Sequence, residues 1–120
     1  MSRYRGLTLR VMGRRSPAMG PGKAELVERI VQTGSISAAA RAMGMSYRRA
    51  WQLVEALNSA FRETVVRTAI GGQRGGGARV TVSGRRLVAQ FRAMEAKASR
   101  AIAGDLRRFA AELRKPAKRR

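Results

Sequence analysis

Residues 34–51 read GSISAAARAMGMSYRRAW, and this stretch decides the fold. Its small apolar residues predict a short helix over 38–43, which Gly44 ends as glycine commonly does in the left-handed cap position. Ser46 is a natural N-cap for a longer helix over 47–63. Two helices joined by so short a turn form a helix-turn-helix, a unit whose second helix can enter the major groove of DNA.

The segments around this unit predict a winged helix-turn-helix. Apolar residues at helical spacing indicate a preceding helix at about 22–33. Two predicted strands, 65–69 and 78–82, flank the glycine-rich basic segment 70–77, which is the pattern of a hairpin, or wing. The predicted fold class is mainly α (α+β), with an N-terminal strand, a two-stranded wing and a long C-terminal helix.

The two ends of the chain extend this unit. Alternating apolar and polar residues over 4–12 predict a strand, and the prolines and glycines of 13–22 predict a loop. Beyond the wing, the sequence favours one long helix. The predicted organisation is a strand and loop at 1–21, a winged helix-turn-helix at 22–82, a dimerisation helix at 83–113 and a basic tail at 114–120.

The predicted last helix has an apolar residue at every third or fourth position along one side. This spacing is typical of a helix face that meets a partner, so we expect it to form the seam of a homodimer. Packing of the same face within one chain is the alternative. The predicted dimerisation residues are Leu87, Phe91, Met94, Ile102, Leu106 and Phe109.

The charge of the chain indicates an anionic partner. It has 26 Lys+Arg against 7 Asp+Glu, a formal net charge of +19. Such a surface repels itself unless it meets nucleic acid, ribosomal RNA or an anionic membrane. No apolar run approaches the ~20 residues of a membrane span, and the N-terminus has no signal-peptide core. A cytoplasmic protein at the nucleoid, with no membrane partner, is therefore expected.

The composition argues against catalysis. The chain has no Cys and no His, which excludes disulfides, zinc fingers, thiolate nucleophiles and imidazole acid–base chemistry. The glycine-rich segment 70–77 leads from strand to strand and lacks the lysine of a phosphate-binding loop. We expect no enzyme activity, no cofactor and no metal site.

The start of the 47–63 helix carries side chains of the types that contact base edges in other DNA-binding proteins. Arg can fork onto guanine and Gln can pair with adenine, while the free amides of a helix N-terminus favour a phosphate. For Trp51, packing at the core or its rim is favoured over base contact. The predicted DNA-binding residues are Ser46, Tyr47, Arg48, Arg49 and Gln52 on this helix, Arg41 before it, and Gln73, Arg74 and Arg79 in the wing.

The stretch 34–51 and the wing segment 68–77 together resemble the N-terminal domain of the ModE molybdate-responsive regulators and, more distantly, LysR-type DNA-binding domains. The resemblance covers about 5–100. It implies a winged helix-turn-helix that binds a palindromic operator as a homodimer, with recognition positions at Tyr47, Arg48, Arg49 and Gln52 and wing positions at Gln73 and Arg74. ModE proteins place molybdate in further C-terminal domains, so a stand-alone member that does not bind molybdate is expected.

Three functional hypotheses remain open on the sequence. The polar cluster at one helix start favours a sequence-specific bacterial transcriptional regulator that binds double-stranded DNA. The arginines spread over the whole chain favour a nucleoid-associated or RNA-binding protein with little sequence preference. In the third, the long helix pairs with another protein that holds an effector site.

Overall fold

The structure is a computed structural model that describes residues 6–69 and 77–115. In these two ranges the chain forms five helices and two antiparallel hairpins. The elements are β1 (Val11–Met12), β2 (Pro17–Met19), α1 (Pro21–Thr33), α2 (Ile36–Ala42), α3 (Tyr47–Ala60), β3 (Val66–Thr68), β4 (Ala78–Val80), α4 (Val82–Ala101) and α5 (Ala103–Ala110). The predicted winged helix-turn-helix fold is confirmed.

Local sequence sets the ends of the first two helices. Pro21 opens α1, where its missing N–H costs nothing. Gly34 ends α1 at φ 71°, a left-handed conformation that glycine adopts without a Cβ clash, and its N–H donates to the Ile30 carbonyl at 2.7 Å. The Ser35 hydroxyl then accepts from the Ala38 N–H at 3.0 Å and caps α2.

The three helices pack around one apolar core that the wing and the first half of α4 close. Each helix contributes residues at three- and four-residue spacing, which places them on one face. Small residues on α2 let the neighbouring helices approach closely. Core residues include Leu26, Val27 and Ile30 of α1, Ala39 and Ala40 of α2, Ala50, Val54 and Leu57 of α3, Val65, Val66, Val80, Val88 and Phe91.

The wing is tied to the end of the first helix. β3 and β4 pair in antiparallel register, with Val66 opposite Val80 and Thr68 opposite Ala78. The Ala78 N–H donates to the Gly34 carbonyl at 3.0 Å, so the residue that ends α1 also anchors β4. This bond fixes the base of the wing beside the helix-turn-helix.

The prediction of a long N-terminal strand is wrong in its extent. Of the predicted 4–12 strand, residues 4 and 5 lie outside the described ranges, and Val11–Met12 alone is a strand. Its partner, Pro17–Met19, falls in the segment predicted as a loop. A tight turn closed by the Gly13 N–H and the Ser16 carbonyl at 2.8 Å brings the two together, and Met19 enters the core. We name β1, β2 and their turn the N-terminal hairpin.

The prediction of one continuous C-terminal helix is also wrong. The helix breaks at Ile102 (φ −113°, ψ 15°), which ends α4 and begins α5. Gly104, a poor helix former, follows the break. Leu106 of α5 lies against Gly6, where an added Cβ would be 3.2 Å from Leu106 Cδ2. The bend therefore lets α5 contact the start of the described chain.

Two of the predicted dimerisation residues belong to the core of the single chain. Phe91 is 2% exposed, and Leu87 packs against the same core. Nearby, Arg92 of α4 binds Glu28 of α1 and Glu95 of its own helix, each at 2.8 Å. These carboxylates raise the pKa of Arg92. The first half of α4 is thus held to α1 by apolar packing and by ion pairs.

Candidate nucleic-acid interface

The turn between α2 and α3 presents the start of α3 to solvent. The Met45 N–H donates to the Ala40 carbonyl at 3.0 Å, which closes the turn after Gly44. The Ser46 hydroxyl accepts from the Arg49 N–H at 3.0 Å, as predicted for an N-cap. Its oxygen is therefore engaged within the chain, while the first amides of α3 stay available to an anion.

The outward face of α3 carries the predicted recognition side chains. Ala50, Val54 and Leu57 are 0% exposed and define the inward face. Apart from Leu53, which packs against the core, the remaining positions of the first two turns point away from it. Tyr47, Arg48, Arg49 and Gln52 are all exposed, as is Arg41 at the end of α2.

Trp51 lies at the edge of this face. Its side chain is 36% exposed, so it is not a core residue, and packing at the rim of the core stays a prediction. Tyr47, by contrast, is 52% exposed. Tyr47 and Trp51 are four residues apart and so lie on the same side of the helix, where their rings give the face flat apolar surface beside the positive charge of Arg48.

No described carboxylate neutralises these arginines. All seven acidic residues lie in the described ranges, and the ion pairs they form there are with Arg29, Arg92 and Arg108. Glu63 accepts a hydrogen bond from Ser83 at 2.5 Å. Unpaired arginines on a convex helix face are suited to an anionic partner that comes from outside.

The wing adds a second basic element that the sequence analysis assigned incompletely. Arg79, one of the predicted wing residues, is exposed on β4, and Arg67 lies directly opposite it on β3. Like charges facing each other across two strands destabilise a hairpin unless an anion lies between them. Arg67 was missed, although counting cross-strand pairs from the hairpin tip would have found it. Gln73 and Arg74 lie outside the described residues.

One side chain fixes the angle between α3 and the wing. Asn58, near the end of α3, accepts from the Val65 N–H at 2.8 Å and the Val66 N–H at 3.1 Å. It also donates to the Val66 carbonyl at 3.0 Å. The two basic elements are therefore held at a set angle by three hydrogen bonds from one amide.

Other kinds of site are not evident in the described chain. Within 6–69 and 77–115, no three acidic residues come together in a way that could hold a metal ion. No helix in these ranges is long and apolar enough to cross a bilayer.

A capped helix with exposed arginines, packed against a basic two-stranded wing, defines a winged helix-turn-helix DNA-binding domain. The chain belongs to the bacterial regulatory helix-turn-helix proteins of the lysR family, whose sequence model matches residues 22–85. The expectation that the chain is not an enzyme agrees with its membership of a family of regulators.

Curated relatives and solved structures agree with this assignment. The chain is 46% identical over 92 residues to the molybdenum-pterin-binding protein MopB of Rhodobacter capsulatus, covering 77% of this chain and 33% of MopB. It is 38% identical over 68 residues to the DNA-binding transcriptional dual regulator ModE of Escherichia coli K12, covering 57% of this chain and 26% of ModE. The predicted resemblance to the ModE regulators is confirmed, and the chain spans about a third of the length of the first of these relatives.

The fold has a solved counterpart. The DNA-binding domain of CbnR, crystallised with DNA, aligns with a TM-score of 0.54 at 21% identity. The alignment covers 76% of this chain and 97% of the CbnR domain. The backbone arrangement of helices and wing is therefore that of a LysR-type DNA-binding domain.

Proposed function

We propose that this chain binds double-stranded DNA sequence-specifically as a homodimer and acts in transcriptional regulation. The observation that carries the proposal is the exposed polar cluster at the capped start of α3. Its arginines have no described carboxylate partner, and the wing, which Asn58 holds near the other end of α3, carries Arg67 opposite Arg79. Helix α3 then enters the major groove, and the wing contacts the phosphates or the minor groove beside it.

In this proposal, base readout and backbone binding fall to different residues. The outward face of α3 reads base edges through Arg48 and Gln52, with Tyr47 and Arg49 beside them. Arg41 and Arg79, with the wing residues Gln73 and Arg74, bind the phosphate backbone of the DNA. The amide N–H groups that Ser46 leaves free at the start of α3 donate hydrogen bonds to a phosphate.

Replacement of Arg48 tests base readout. Arg48→Ala is expected to weaken binding to the preferred duplex by about 2 kcal/mol, since a bidentate pair with guanine discriminates by about 1–3 kcal/mol. Binding to unrelated duplexes should change far less. Fluorescence anisotropy titrations on both duplexes measure the difference, and an equal loss on every sequence would show a phosphate contact instead.

The homodimer is proposed to form through the exposed apolar residues of α4 and α5. Met94 is 46% exposed and Phe109 is 68% exposed. Ile102 and Leu106, which lie between these two residues in the sequence, are half-buried. In the proposed division, 22–82 binds DNA and 83–113 supplies the seam, with 1–21 and 114–120 flanking these two parts.

Charging this seam should separate the two copies. The double variant Met94→Lys, Phe109→Lys is expected to weaken dimerisation at least ~10-fold, because two lysines per copy would have to be buried without partners. The fold should persist, since both side chains are exposed. Sedimentation equilibrium measures the constant. Val82→Lys, at another strongly exposed apolar position, is the matched control. Equal effects of the two variants on dimerisation would show that Met94 and Phe109 do not lie in the seam.

Binding-site selection from random duplex DNA at ~150 mM salt tests the proposal as a whole, because weak electrostatic binding is reduced at that salt. An enriched palindrome with half-sites about one helical turn apart supports a dimeric specific regulator. Tight, salt-sensitive binding with no enriched sequence would favour the nucleoid-associated or RNA-binding alternative.

Two further points follow from DNA as the proposed partner. The protein is placed in the cytoplasm, at the nucleoid. The expectation that this chain does not bind molybdate stays a prediction, since the molybdenum in the relatives' names belongs to much longer proteins. Equilibrium dialysis of the chain against molybdate tests it directly.

A further inference from the structure

A cavity lies between the N-terminal hairpin, the start of α1 and one flank of α3. Its volume is about 490 Å³, and it opens to solvent. Met43 and Leu53 supply part of an apolar wall, while three basic side chains line it: Arg10, Lys23 and Arg49. None of the acidic residues is among the described residues that line it.

The three basic side chains are held close together by the chain itself. Lys23 Nζ donates to the Pro17 carbonyl of the hairpin at 2.7 Å. The stem of Arg10 lies over Gly20, where an added Cβ would come within 3.3 Å of Arg10 Cγ. Burial, and then the charge of Arg49, lower the pKa of Lys23. The cluster is therefore partly desolvated and repels itself, which an anion in the cavity would relieve.

The start of α1 adds to the attraction for an anion. Its N-cap, Gly20, provides no side chain to accept from the first-turn amides. Gly22 and Lys23 of that turn line the cavity. A thirteen-residue helix directs the positive end of its dipole into the same space.

The place of the cavity on α3 indicates which anion occupies it. Arg49, Gln52, Leu53 and Ala56 line it, and this spacing marks one flank of the helix. Gln52 also belongs to the outward face proposed to read bases. When a helix lies in a major groove ~12 Å wide, its flank faces the backbone that borders the groove.

We propose that this cavity is a phosphate-binding site, occupied by a phosphate of the DNA backbone beside the bases that α3 reads. The proposal rests on the proposed function and extends it to the N-terminal hairpin. Arg10 and the hairpin lie outside residues 22–85, the part that matches the lysR family model. The N-terminal hairpin is then a second basic arm beside α3. It packs on the side of α3 opposite to Asn58, the residue that contacts the wing.

Charge-neutral variants of the cavity test the site. Arg10→Gln and Lys23→Gln should each make the negative slope of log K against log salt shallower by about 0.9. Near 0.1 M salt this change corresponds to a loss of affinity of about eightfold. The loss should be equal on preferred and unrelated duplexes. Arg100→Gln, at an exposed arginine in the last turn of α4, is the matched control for net charge. A loss no larger than that of the control would overturn the proposal.

Neutralising single phosphates identifies the ligand. Duplexes with one methylphosphonate each are titrated with the wild-type chain and with the Arg10→Gln, Lys23→Gln double variant. One or two neighbouring positions should weaken the wild type and leave the double variant unchanged. Additive losses at every position would overturn the proposal, as would stabilisation by inorganic phosphate without such coupling, which would identify a free oxyanion as the ligand.

These results separate the two proposals. If the cavity variants bind like the control while Arg48→Ala still changes sequence preference, the phosphate site fails and the proposed function stands. If selection enriches no sequence, the salt slopes on unrelated duplexes still decide the site, since they do not depend on a fixed binding register. Absence of binding to any duplex DNA would overturn both.

Discussion

Gly84→Ala is expected to destabilise the fold by about 3 kcal/mol, one of the two largest effects predicted for a single substitution here. An added Cβ would lie 2.6 Å from the Val65 carbonyl oxygen and 2.9 Å from Val80 Cγ1. The first atom is backbone and cannot rotate away. The start of α4 must therefore move away from the wing. The cost of this movement is expected to exceed the ~0.5–1 kcal/mol by which alanine stabilises a helix relative to glycine.

The matched control is the same substitution on α5. At Gly104 the nearest atom to an added Cβ is Arg108 Nη1 at 3.6 Å, an ordinary contact. Gly104→Ala should thus be neutral or stabilise by up to ~1 kcal/mol. Urea unfolding followed by circular dichroism measures both free energies. Equal stabilities for the two variants would show that α4 does not pack against the wing at this distance.

Asn58→Ala is expected to cost about 3 kcal/mol, because it removes three hydrogen bonds at once. The Val65 and Val66 amides and the Val66 carbonyl would lose the partner that now fills the space between α3 and the wing. Val65 and Val66 are 0% and 2% exposed, so water reaches their backbone poorly. DNA binding should weaken as well, since the angle between α3 and the wing is no longer fixed.

Asn58→Asp separates the accepting role of this side chain from its donating role. Its carboxylate can still accept from both amides but cannot donate to the Val66 carbonyl, so an intermediate loss of ~1 kcal/mol is expected. Ser59→Ala, at the exposed neighbouring position, controls for the change to alanine. The same unfolding measurement applies. If Asn58→Ala were as stable as Ser59→Ala, the hydrogen bonds would carry no net stability.

The two basic elements, α3 and the wing, differ in how far their positions depend on contacts with the rest of the chain. The recognition face of α3 is set by its own cap and inward stripe. The wing depends on distant contacts, namely the Gly34 carbonyl at its base and Asn58 at its side. A substitution at Gly84 or Asn58 should therefore disturb the wing before it disturbs α3. Comparing wing and helix amide exchange in these variants would show that order.

Local signals in the amino-acid sequence were enough to determine the helix-turn-helix. Gly34, Gly44 and Ser46 set helix ends through backbone conformation and capping, which act over a few residues. The inward stripe of α3 follows from helical spacing. With the ends and the inward face known, the outward position of Tyr47, Arg48 and Gln52 follows by geometry, and the structure agrees.

Contacts between distant residues decided the rest. The N-terminal hairpin exists because Met19 gains burial in a core made by other elements, although the proline-rich sequence around it indicates a loop. The break at Ile102 places Leu106 against Gly6, which is 100 positions earlier in the chain. The cluster of Arg10, Lys23 and Arg49 forms from three separate parts of the chain. Propensity and periodicity act over a few residues, whereas these features depend on burial and charge that arise once the elements have packed together.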